Sequence, residues 1–369
     1  MRKDTDCRMG KGKARAANIE LLRITAMVMV VILHYFVKGG ADISLVEDTG
    51  AVNLILWALK GLCIVTINLY VLISGYFLLE AKWKISRLIT LWIQALFYSI
   101  GVPVVCFLLG LGEVRNWGLY DWLNVIFPVQ MEHYWFITAY GILYLFVPAL
   151  SAGVKQMTKK QHQLVIAGLL LIFSIPKTIL PVLIPTDRYG YDFGWFLCLF
   201  MIAAYIRLYG IPFLSNKRRS FGVYFGSVAG MWLISVVCAC LSRKGLPLSY
   251  MMDMPYCHNH FLVLTAAVGL FYAFRYIKIP EGNMATMICK VSPYTLGVYL
   301  LHENLALRTQ WQLWAGIEKV RGSFALFPHM FLTVVAVFIA GVMIDFVRDC
   351  IFKFFIRMWK QFFAGKHAK

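Results

Sequence analysis

Long apolar runs separated by short charged segments organise the whole chain. Stretches of about 18 to 25 apolar residues, the length needed to cross a bilayer as helix, fall near 19–37, 56–79, 86–111, 134–152, 163–183, 192–210, 220–241, 257–277, 291–312 and 326–347. The pattern predicts an all-α polytopic membrane protein of about ten transmembrane helices. It contains no repeat of fixed period, no low-complexity tract and no soluble block. One membrane domain over 18–347 is therefore expected, after a basic tail at 1–17 and before a basic aromatic tail at 348–369. The first apolar run is full length and lacks a small-residue cleavage site, so it reads as a retained span. The last tail interleaves Phe352, Phe354, Phe355, Trp359 and Phe362 with Lys353, Arg357 and Lys360. That order suits an interfacial helix, or simply a last span that ends raggedly.

Charge then orients the spans. The segments "EAKWKISR", "AGVKQMTKKQH", "IRLYGIPFLSNKRRS" and "FRYIKIPEGNMATMICK", with both tails, are rich in Lys and Arg, whereas "KGGADISLVEDTG", 112–133, "IPTDRYG" and 242–256 are mixed or acidic. The positive-inside bias places both termini in the cytoplasm with an even number of spans. Composition agrees: of 369 residues 60% are hydrophobic and 15% charged, with mean hydropathy +0.69. Lys and Arg number 36 against 18 Asp and Glu. That excess lies in short runs between spans, not in one stripe, which argues against a nucleic-acid partner. Most of the nine cysteines, including Cys63, Cys106, Cys198, Cys238, Cys240 and Cys289, lie in apolar runs. There they behave as small hydrophobes, and no disulfide framework is expected.

Two residues of the first span do not belong in lipid. Arg23 and His34 are 11 positions apart, three helical turns, so both project from one face about 16 Å apart along the axis. An ionisable residue inside a membrane is a functional-site hypothesis by default. The bland alternatives are an arginine that snorkels to the headgroups and a histidine bonded across helices.

The stretch "NIELLRITAMVMVVILHYF" resembles the first helix of the acyltransferase-3 family of integral membrane acyltransferases, marked by an Arg, ten residues and a His. "NLYVLISGYFLLEAKWKISRL" is similar to that family's second-span Ser-Gly-aromatic stretch with a following basic pair. "HYWFITAYGILYLFVPAL" resembles its Trp-Phe segment, and "SPYTLGVYLLHEN" its late span ending in a His. The resemblance covers roughly residues 15 to 350. One departure is that the basic pair, often two arginines, is Lys84 and Arg87 here.

The resemblance implies transfer of an acyl group, usually acetyl, from cytoplasmic acyl-CoA to a hydroxyl of an extracytoplasmic glycan or related envelope molecule. His34 would be the proton-transfer group or acyl carrier, and Arg23, Lys84 and Arg87 would meet anionic parts of the donor. Plain loop charge is the alternative for the latter two. His302 and Glu303 read as a second relay or an acceptor contact, or as packing residues. Trp135 reads as a sugar-stacking ring or as part of an interfacial belt. "CHNH" at 257–260 invites a metal, but adjacent positions do not share a helix face and no second cluster matches it, so no metal is expected. A transporter or lipid-linked carrier is the competing reading. Such proteins often show paired broken spans, and none is evident in this sequence.

Overall fold

A computed structural model describes residues 6–7, 15–180, 182 and 187–364. Most of the N-terminal tail, the last five residues, and the side chains of Trp359, Lys360 and Phe362 lie outside the described residues. The helices are α1 (Ala17–Val37), α2 (Ala51–Cys63), α3 (Thr66–Leu78), α4 (Ile85–Leu109), α5 (Leu119–Ile126), α6 (Trp135–Gln156), α7 (Lys159–Phe173) and α8 (Ile175–Ile179). They continue as α9 (Phe193–Leu208), α10 (Lys217–Arg243), α11 (Ser249–Asp253), α12 (Phe261–Arg275), α13 (Asn283–Val291), α14 (Thr295–His302), α15 (Gln310–Ala315) and α16 (Leu326–Ala364). A two-residue antiparallel pairing joins Asp6–Cys7 to Arg15–Ala16.

Eight helical segments among the described residues are long and apolar enough to cross a membrane. Nine of the ten expected spans lie mainly on helix, with the fifth and sixth short: α7 stops at Phe173, and α9 has 16 residues. The ninth, expected at 291–312, is displaced towards the N-terminus, its helical segment being Asn283–His302 with a non-helical stretch at 303–309. The physical reason for α9 is burial. Ten of its residues, from Trp195 to Ile206, are covered by protein, so other helices, not lipid, decide its length. Either count is even. Helix α16 runs without a break from Leu326 through Ala364, so the described part of the expected C-terminal tail continues the last span as helix. Five of the six cysteines expected in apolar surroundings are buried, while Cys240 is exposed.

Helix α1 occupies the centre, touching α2, α3, α12, α13, α14 and α16; around it α10 packs on α12, α3 on α9 and α14 on α16. Small residues permit the closest approaches. A Cβ on Gly297 of α14 would lie 2.3 Å from Asp345 Cβ of α16, and one on Gly341 of α16 would lie 2.6 Å from Val298 Cα. Asp345, wholly buried, accepts from Gln94 Nε2 (3.0 Å), Tyr98 OH (3.0 Å) and Arg348 Nε (2.6 Å). The buried carboxylate is thus partnered on all sides, as membrane interiors demand.

Three spans are interrupted, a feature not evident in the sequence. The first breaks at Ile64–Val65 between α2 and α3, the second at 254–260 before α12, and the third at Ser292–Tyr294 between α13 and α14. The carbonyls freed at the first break find partners: Leu62 O accepts from Tyr224 OH (2.7 Å), and Ile64 O lies 3.2 Å from His258 Nδ1. Non-helical backbone at this depth is tolerated where protein or a cavity adjoins it. All three breaks line the same cavity.

Candidate active site

That cavity encloses about 770 Å³ and follows one face of α1. Arg23, Met27, Val30, His34 and Val37 face it at intervals of three and four residues that keep a helix stripe on one side, with Leu33 and Lys38 beside them. From Arg23 to Lys38 this wall spans about 22 Å of helix rise. Arg23 and His34 therefore open on one space, as their spacing predicts.

At the Arg23 end the walls carry Arg87, Ser74, Tyr140 and Tyr144. Among the described residues Arg23 makes one side-chain contact, Nη1 to Glu20 Oε1 at 3.4 Å, and Glu20 also accepts from Ser292 Oγ. Tyr70 OH donates to the Arg23 carbonyl (2.9 Å), which fixes the backbone beneath it. The guanidinium keeps most of its five donors for whatever enters. The basic pair divides here. Arg87 lines the cavity, whereas Lys84 does not; Lys84 precedes α4, and its carbonyl accepts from Tyr144 OH (3.0 Å).

At the other end His34 meets His302 and Glu303. His34 Nδ1 is 2.8 Å from His302 Nε2 and 3.1 Å from Glu303 Oε1. Lys38 Nζ lies 2.5 Å from both Glu303 oxygens. The tautomers follow from the partners. His302 Nδ1 lies 2.5 Å from Val298 O, and a carbonyl only accepts, so this nitrogen carries the proton. With both rings neutral, His302 Nε2 is then an acceptor, and His34 Nδ1–H donates to it and to Glu303. His34 Nε2 is left with its lone pair and has no partner among the described residues. A ring held this way can take a proton at Nε2 while Glu303 faces the resulting cation.

Glu303 is fixed by its neighbours in sequence, which sequence reasoning missed. It caps α14, and Asn304 beside it is fully buried. The Asn304 amide donates to Tyr98 O (2.8 Å) and Tyr134 OH (2.9 Å), and Tyr134 OH donates to Leu300 O (2.8 Å). Leu305 N donates to His133 Nε2 (2.9 Å). The one signal available was that a buried Asn must find two or three partners. Lys38 was missed too, since it lies past the apolar run.

Trp135 lines the cavity, edge-on to Tyr191 at 4.6 Å between ring centres, and His258, Tyr256, Lys60 and Asp253 complete this end. The "CHNH" stretch does local work: His258 bonds the broken α2–α3 turn and His260 Nδ1 accepts from Leu262 N at 3.2 Å to cap α12. Among the described residues, the three groups that could together hold a metal are instead His34, His302 and Glu303, whose ligand atoms lie within 4.8 Å of one another. Their facing atoms bond to one another and to the Lys38 ammonium, and His34 Nε2 stays open.

A family model described as an acyltransferase domain, Acyl_transf_3, matches residues 16–346, nearly the whole chain. The chain belongs to the acyltransferase-3 family. It is thus a multi-pass membrane acyltransferase that moves groups other than aminoacyl groups, consistent with the cell membrane. No curated protein and no solved structure matches it. Membership in an enzyme family, not the absence of broken spans, is what sets aside the transporter reading.

Proposed function

We propose that this acyltransferase moves an acyl group, acetyl being the simplest case, from acyl-CoA to a hydroxyl of an extracytoplasmic glycan or related envelope molecule, with both chain termini in the cytoplasm. The observation that carries the reading is the open Nε2 of His34, inside a cavity whose opposite end presents Arg23 and Arg87. Donor phosphates would meet the two arginines, and the thioester would reach along the α1 face to His34. His34 Nε2 takes the proton of the acceptor hydroxyl as its oxygen attacks the thioester carbonyl. The tetrahedral intermediate then expels the thiolate, which recovers that proton from Nε2–H. Glu303 faces the imidazolium formed between the two steps, and His302 fixes the ring.

The test is transfer in proteoliposomes from labelled acetyl-CoA to a pool of envelope glycans, comparing the native chain with His34→Ala at equal folded amounts. Label on glycan that falls at least 100-fold in the variant, the lower range for loss of a general base, is the expected result. Unchanged transfer in His34→Ala removes His34 from the chemistry, and a native protein that never consumes acetyl-CoA removes the donor.

A further inference from the structure

The two ends of the cavity differ in charge. Around Arg23 the groups are Arg23 and Arg87 against Glu20, which leaves one positive charge. Around the far mouth, Lys38 pairs with Glu303, and Lys60 Nζ pairs with Asp42 Oδ2 at 3.3 Å. Asp253 also lines this mouth, with Lys60 and Asp42 as its charged neighbours, yet its carboxylate has no hydrogen bond or ion pair among the described residues. Among the lining residues of this mouth and their ion-pair partners, with Arg308 standing behind Tyr299 outside the lining, two cations and three carboxylates leave one negative charge. It lies on the exposed side chain of a residue that no packing role claims.

Aromatic surface surrounds that carboxylate. Lys60 Nζ stands 4.3 Å from the Trp57 ring centre, and Tyr256 packs edge-on against Trp57 at 5.1 Å while its hydroxyl donates to Trp57 O (3.0 Å). Lys60 is thus held on both sides, by Asp42 and by the rings, and cannot swing across to neutralise Asp253 without losing them. The mouth offers an anchored ammonium, a free carboxylate and flat apolar faces, a set that suits a compact polyhydroxylated molecule. It repels a molecule that carries its own negative charge.

We infer that Asp253 is a specificity-determining residue that sorts acceptors by charge, admitting neutral or amine-bearing hydroxyl compounds at the far mouth and turning away carboxylated or phosphorylated ones. This rests on the reading of that mouth as the acceptor end. A charge pair about 7 Å apart in a partly wetted mouth is worth on the order of tenfold in affinity.

The test uses the full chain in nanodiscs and three matched acceptors: a neutral glycoside, its uronate and its amino analogue. Binding is measured by calorimetry without donor, and transfer with acetyl-CoA. The native chain is expected to favour the neutral and amino compounds over the uronate by about tenfold. Asp253→Asn brings the three towards equality, and Lys60→Met, which frees Asp42 as well, widens the gap. Opposite movement in the two variants is a result that loss of structure alone would not give. Equal binding of the three compounds to the native chain, or one ratio in all three proteins, overturns the assignment. If binding discriminates but no label is transferred, the charge filter stands and the acyl-CoA reading falls.

Discussion

The Glu303→Gln substitution tests the proposed relay most directly, because it removes a charge and almost no volume. In the resting site Glu303 lies 3.1 Å from His34 Nδ1 and is neutralised by Lys38. When Nε2 takes the acceptor proton, the ring becomes a cation whose charge centre is about 4 Å from the carboxylate, worth about 4 kcal/mol at an effective dielectric constant near 20. The amide cannot supply that attraction. It also leaves the Lys38 ammonium uncompensated beside the developing imidazolium, so the loss is not softened by the vacancy. The expected fall in kcat is on the order of 10³-fold at saturating donor and acceptor, with little change in either KM. Adding Lys38→Met to Glu303→Gln removes the repulsion and should restore part of the rate, about tenfold or more. Single-turnover transfer from labelled acetyl-CoA in nanodiscs, with equal folded protein confirmed by gel filtration, reads both effects. A Glu303→Gln enzyme within threefold of native, or a double variant slower than the single one, would refute the electrostatic role.

Three further outcomes follow from the geometry. Arg87→Ala and Arg23→Gln should each raise the donor KM by on the order of tenfold, whereas Lys84→Ala, whose side chain lies off the cavity, should change it less than threefold; the reverse order in a donor titration would contradict the division of the basic pair. Gly297→Ala drives a Cβ to 2.3 Å from Asp345 Cβ and should cost about 3 kcal/mol or more of stability, at or above the usual range for overpacking, while Gly101→Ala, which meets nothing within 4 Å, should be neutral or slightly stabilising; thermal unfolding in detergent separates them. His133, just before α6, is pushed down to about 4 by burial and secondarily by the charge of Arg308. Its folded value lies below the unfolded one near 6.5, so the stability is full above that pH and is lost as pH falls from 6.5 to 4, by on the order of 3 kcal/mol. A His133→Gln chain should show a flatter unfolding profile across that window, and an equally steep one would rule the residue out.

What the sequence disclosed and what it withheld divide along a physical line. The Arg23–His34 stripe was legible because it is a property of one helix, whose period needs no partner to compute. Most of the spans were legible from their own apolar runs, but not the ninth, whose helical segment is Asn283–His302. The break at Ile64–Val65 was not, since neither residue is a helix breaker; the turn persists because Tyr224 and His258, far along the chain, satisfy the carbonyls it frees. The break at 292–294 carried a proline, Pro293, and was the easier to suspect. Lys84 and Arg87 were indistinguishable as charges on one basic segment, and only the walls of the cavity separate them.

Lys38 shows why the chemistry at the far end is the hardest to read from the chain. It sits in a loop of mixed charge where an ammonium needs no explanation, and its partner Glu303 is 265 positions away. Yet without Lys38 a carboxylate would lie beside a neutral imidazole with no charge to balance it in a nearly buried site, where removal of a partner leaves a costly unpaired group. Lys38 therefore makes it possible to keep Glu303 ionised next to His34 before any proton moves. On the proposed route, that prior balance is what lets the imidazolium form: the carboxylate is already charged, already oriented by Asn304 and its contacts, and needs no reorganisation when the acceptor proton arrives. The second, unbalanced carboxylate of the same mouth, Asp253, lies on the exposed rim, where a free charge is tolerated and can act on what enters.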